Sequence, residues 1–222
     1  MVPSPKLHDY QRAVGLNNQG VLLMKQHSYL QARYAFQLAL QTIKRAYNPL
    51  ESTATEDDKE ADVATTIFIQ AISEQLLSRA SSPIFIDLSI FQALRHSNHF
   101  FAETAVIMLN LAHVNVSLSQ CPTSDQALSF ERTAFELLRM AYAVLSHLTD
   151  GHLEVCITAI VLKNILDILL RQGRYRDAQD VYRRLVGLRT PCCGDDDHEA
   201  SLARSWLDLF GVDTKATMAG AA

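Results

Sequence analysis

Chain breakers are scarce: the 222 residues hold only 8 glycines and 6 prolines. A β-sandwich or barrel needs turn residues at short, regular intervals, so those classes are not expected. A basic excess is missing as well. Net charge is -4 and the sequence pI about 6.0, whereas a general nucleic-acid binder holds phosphates with surplus Lys and Arg. The four cysteines, Cys121, Cys156, Cys192 and Cys193, make no dense disulfide framework. Residues 1–10 hold no apolar core of a secretory signal. No run of about twenty uncharged apolar residues is present to span a membrane. The expectation is an intracellular chain, cytoplasmic or nuclear, with reduced thiols and no membrane segment. Asn115-Val116-Ser117 matches a glycosylation pattern, which has no meaning without secretion. A Gly-rich phosphate loop and a Gly-x-Ser-x-Gly elbow are both lacking, so no enzyme and no cofactor are expected.

What is present is apolar and periodic. Hydrophobic residues make up 48%, enough for a folded core. Residues 10–47 repeat apolar and small side chains at helical spacing, and His27-Ser28 splits them into an antiparallel pair. Residues 48–62 read as a surface loop, with Pro49 and the charge run Glu56-Asp57-Asp58-Lys59-Glu60. Residues 63–101 are ambiguous. Their β-branched and aromatic runs at 65–69 and 84–91 suit a short hairpin or another helix. Helical patterning resumes at 103–118 and, after Cys121-Pro122-Thr123-Ser124, continues to 148, with Ser124 or Asp125 as candidate cap. Asp150-Gly151 is a turn. Two helices joined at Gly173 cover 153–188, and an amphipathic piece at 199–210 caps the end.

Three units align. Gly20, Ala32, Phe36 and Ala39 match Leu166, Ala178, Tyr182 and Leu185 at equal spacing. Ala112, Ala134, Leu138 and Ala141 give the middle unit, with a longer turn. Antiparallel helices approach closely only where side chains are small, which places Gly20 or Ala112 opposite Ala32 or Ala134. One pair cannot bury its own apolar face, so pairs stack.

Here the sequence resembles the tetratricopeptide repeat family. Gln172-Gly173-Arg174-Tyr175-Arg176-Asp177-Ala178 is similar to the family's Gly-x-Tyr turn and the Ala that follows it. The stretch 106–118 also resembles a group of repeat proteins found in diatoms. The departures are a missing helix-A Trp, replaced by Leu16, Met108 and Leu162, a missing terminal Pro, and unequal repeat spacing. The resemblance implies an all-α fold: an α-α superhelix of irregular helical hairpins in one domain, with a capping helix. It also implies a non-catalytic protein–protein interaction module that binds a polypeptide in a concave groove.

Asn18, Asn110 and Asn164 share one register on the first helix of each unit. In the family that face lines the groove, and an amide that donates and accepts at once can hold a peptide main chain. An interhelical or solvent-facing Asn is the other reading. The family's carboxylate clamp is effectively absent: its positions hold Asn17 and Val21, then Ile160 and Asn164, and only Asn110 fits, so acidic chaperone tails are not expected partners. A structural subunit, joined to a larger assembly through exposed apolar ends, is the alternative function. An RNA-binding repeat would rest on Arg171, Arg174, Arg176, Arg183, Arg184 and Arg189, which suit a solvated face better. His96 with His99, and Cys192, Cys193, Asp195, Asp196, Asp197 and His198, are metal-ligand types without metal-site spacing. No metal is expected.

Overall fold

The computed structural model describes residues 5–46, 100–121, 126–146 and 152–188. The expected loop at 48–62, nearly all of the ambiguous stretch 63–101, the capping piece at 199–210 and the candidate metal ligands lie outside these residues. Six helices make up the described part: α1 Pro5–Lys25, α2 Tyr29–Ala46, α3 Phe100–Ser119, α4 Ala127–Leu145, α5 His152–Arg171 and α6 Tyr175–Gly187. No strand occurs among the described residues. The described part is all-α, as its periodicity predicts.

Several boundaries differ from the expected ones, and α1 already starts at Pro5, ahead of Tyr10. α3 starts at Phe100, ahead of Glu103, because its apolar pattern already closes on Ala102, which is fully buried. The cap of α4 is Gln126, with no side-chain cap bond, where Ser124 or Asp125 was the expectation.

The helices form three antiparallel hairpins in chain order, α1–α2, α3–α4 and α5–α6. Each packs on the next through α2 against α3 and α4 against α5. The first helices of the hairpins also meet, α1 on α3 and α3 on α5. α3 therefore has neighbours on all sides. It is apolar around its whole circumference, as such a position requires, and no residue from Phe101 to Ser119 is exposed. By length and composition α3 would also pass as a membrane span, but most of it is buried against the other helices. One contiguous core draws on all six helices, including Val14, Phe36, Ile107, Leu138, Ile157 and Ala178.

The first and third hairpins turn in the same way. After α1, His27 N–H donates to Met24 O and Ser28 N–H to Leu23 O. After α5, Gly173 N–H donates to Leu170 O and Arg174 N–H to Leu169 O. Both are Schellman caps with a left-handed residue at the same place, His27 at φ 60 and Gly173 at φ 70. Ala32 and Ala178 N–H then bond Ser28 O and Arg174 O. All these residues pair in the alignment that puts Gly20 on Leu166. The small residues lie where the repeat requires, Ala32, Ala112 and Ala134 fully buried and Ala178 nearly so. One partner differs: the nearest side chain over Gly20 is Phe36 rather than Ala32, and a Cβ at Gly20 would stand 2.6 Å from that ring.

Candidate functional site

The aligned asparagines lie on the three first helices, α1, α3 and α5. Asn110 is fully buried, and its Nδ2 donates to Asn17 Oδ1 at 2.9 Å. Asn17, also fully buried, donates through its own Nδ2 to Asn18 Oδ1 at 3.1 Å. Asn164 is half-buried. Its Nδ2 donates to Ile160 O at 2.7 Å, and its Oδ1 is 3.0 Å from His113 Nε2. The asparagines thus belong to a polar seam that crosses the hairpins where their first helices meet. Only Asn18 and Asn164 reach partly to the surface.

The seam continues towards the start of α3. Tyr10 OH donates to Glu103 Oε1 at 2.5 Å. Tyr10 and Asn17 are seven residues apart on α1, as are Glu103 and Asn110 on α3, so both sets share a helix face. The equal step in both helices shows that α1 and α3 run parallel, as first helices of stacked hairpins do. Burial pushes the Glu103 carboxyl up to about 8 against the bond from Tyr10. At neutral pH it is therefore largely protonated, which suits its nearly complete burial.

Sequence reasoning put Asn18, Asn110 and Asn164 on first helices, where they lie, but did not link them to Asn17, His113, Glu103 and Tyr10. A signal for Glu103, Asn110 and His113 existed: each interrupts a helix that is otherwise apolar on every side, so each needs an internal partner.

The second helices are tied by guanidinium–aromatic contacts. Arg33 on α2 lies 5.4 Å from the Phe130 ring, Arg174 lies 5.3 Å from Phe135, and Arg184 on α6 lies 5.8 Å from Tyr142. An open concavity of about 440 Å³ between α4 and the α5–α6 turn is lined by Leu128, Glu131, Phe135 and Arg139 among others. Several of its charged side chains have local partners. Glu131 accepts from Gln172 at 3.0 Å, Arg139 pairs with Glu136 at 3.5 Å and Arg174 with Asp177 at 2.6 Å. The Arg stretch of α6 is likewise interleaved with Asp177 and Asp180, and Arg183 bonds Asp180 at 3.0 Å. No cluster of three metal-ligating side chains occurs among the described residues.

Comparison with protein-family models, with curated proteins and with solved structures found no match.

Proposed function

We propose that this chain is a non-catalytic, tetratricopeptide-like helical-repeat scaffold that binds a polypeptide inside the cell. The observation that carries the reading is the recurrence of one hairpin turn, bond for bond, in the first and third of three stacked hairpins. Such stacking can build an α-α superhelix, whose extended inner surface suits a peptide. The groove would follow the line of α1, α3 and α5. Asn18 and Asn164, partly exposed, would be the amides that meet a main chain. Asn110, fully buried, would hold the hairpins in register beneath them.

The test is a partner recovered by pull-down from native extract and remeasured against the Asn18→Ala, Asn164→Ala double variant. Loss of hydrogen bonds in a desolvated groove should weaken binding by about tenfold. Unchanged affinity with an intact thermal melt would remove the groove. The structural-subunit reading keeps one specific support, the exposure of Leu30 and Tyr34 on α2 (67% and 69%).

A further inference from the structure

The repeat allows each surface position to be compared with its counterparts. The buried triplets Ala32–Phe36–Ala39 on α2 and Ala134–Leu138–Ala141 on α4, and the matching Ala178–Tyr182–Leu185 on α6, fix the equivalence of the second helices. On it, Leu30 corresponds to Arg132 and Arg176, and Tyr34 to Glu136 and Asp180. All six side chains are exposed. The acid in the second and third hairpins pairs with an Arg three residues on, Glu136 with Arg139 and Asp180 with Arg183. In the first hairpin these two positions hold Tyr34 and Gln37. The same solvent-facing site is thus an ion pair twice and an uncharged aromatic–amide pair once.

The replacement is part of a stripe. Leu30, Tyr34, Gln41, Lys44 and Arg45 fall on one face of α2 by helical spacing, and all are exposed. Its first half is apolar and its last turn basic. Between Pro5 and Ala46 the chain has six bases and one acid, a net +5, although the whole chain is -4. Gln26 and Gln31, near the start of the stripe, are exposed as well.

We propose that this face of α2 is a docking surface for an acidic amphipathic segment of another protein. Leu30 and Tyr34 supply the apolar anchor, and Lys44 and Arg45 meet carboxylates about three turns beyond Tyr34. Charge selects the occupant. A second copy presenting the same hairpin would bring one strongly positive surface against another. The glutamine amides donate and accept hydrogen bonds, which fits a polypeptide better than a lipid surface. The site rests on the polypeptide-binding reading but lies on a second helix, away from the Asn18–Asn164 line of first helices.

The test is selection of a random phage-displayed peptide library on the full chain. Recovered peptides are then remeasured on a variant carrying Leu30→Arg and Tyr34→Glu, the pair that the second hairpin already holds in water. Leu128→Arg, at a side chain 84% exposed on α4, is the control. Recovered peptides should be rich in Asp and Glu with apolar residues at helical spacing. Their affinity should fall about tenfold or more on the double variant, weaken with salt, and ignore the control. Peptides that ignore the double variant but need Asn18 and Asn164 would overturn this surface and leave the groove. Recovery of no peptide would overturn both. Sedimentation showing a dimer that the double variant dissolves would make a second copy the occupant and overturn the proposal. So would binding of phosphatidylserine vesicles that the double variant abolishes.

Discussion

Asn110 shows how one residue's role turns on its surroundings. An exposed Asn on a helix can be removed at little cost, but Asn110 is fully buried and bonded to Asn17. Asn110→Ala would leave Asn17 Oδ1 without that donor inside the core, so it should destabilise by ~1–3 kcal/mol. Urea denaturation measures this directly, and a neutral result would mean the seam is wet. Glu103 makes a second claim, about pH. Its carboxyl sits near 8 in the folded chain against an ordinary value of 4.5. Across that window the unfolded chain has released a proton that the native chain still holds. Stability therefore falls as pH rises through the window and levels off above it. Glu103→Gln should flatten the fall, so the variant's Tm should gain on the wild type from about pH 5 to about pH 8. Parallel curves would show that Glu103 is not the group responsible. The sequence revealed the register of Asn18, Asn110 and Asn164 because spacing survives in one dimension. It hid which face each amide takes. Asn17, about 100° around α1 from Asn18, makes the contact to Asn110 instead.

At the scale of the element, the turns and small residues were legible because they follow local rules. Gly173 was readable as a helix stop, since only Gly takes a left-handed cap without cost. His27 holds the same place in the first hairpin, with Nδ1 2.8 Å from Tyr29 OH. Gly173→Ala should destabilise by ~1–2 kcal/mol from the left-handed penalty alone, as no atom crowds the site. His27→Gly should gain ~1 kcal/mol less the lost contact to Tyr29. Opposite shifts in Tm for the two variants are the expected pair, and shifts of the same sign would deny that the turns are equivalent. Gly20 is a different case. Its conformation is ordinary and its neighbour is not, because the Phe36 ring occupies the space of a Cβ. Gly20→Ala should cost ~1–3 kcal/mol through overpacking. Spacing alone could not choose Phe36 over Ala32 as that neighbour, since both lie on the buried face of α2 and differ only by one helical turn.

Among the described residues the hairpins contact one another in series. The first and third hairpins share none of the substantial helix–helix contacts, whereas α3 touches α1, α2 and α5 besides its own partner α4. Stability in such a stack is a sum of unit and interface terms, so a lesion spreads according to which interfaces it weakens. Gly173→Ala alters a turn at one end and should lower hydrogen-exchange protection mainly in α5 and α6. Asn110→Ala removes a bond between α1 and α3, the interface of the first hairpin with the one that joins the two ends. It should lower protection in α1 and α2 as well as in α3 and α4, even where its cost in denaturant matches that of Gly173→Ala. Native-state hydrogen exchange, read helix by helix, separates the two patterns. A single cooperative unit would lose protection equally everywhere for both variants, and that result would refute coupling in series.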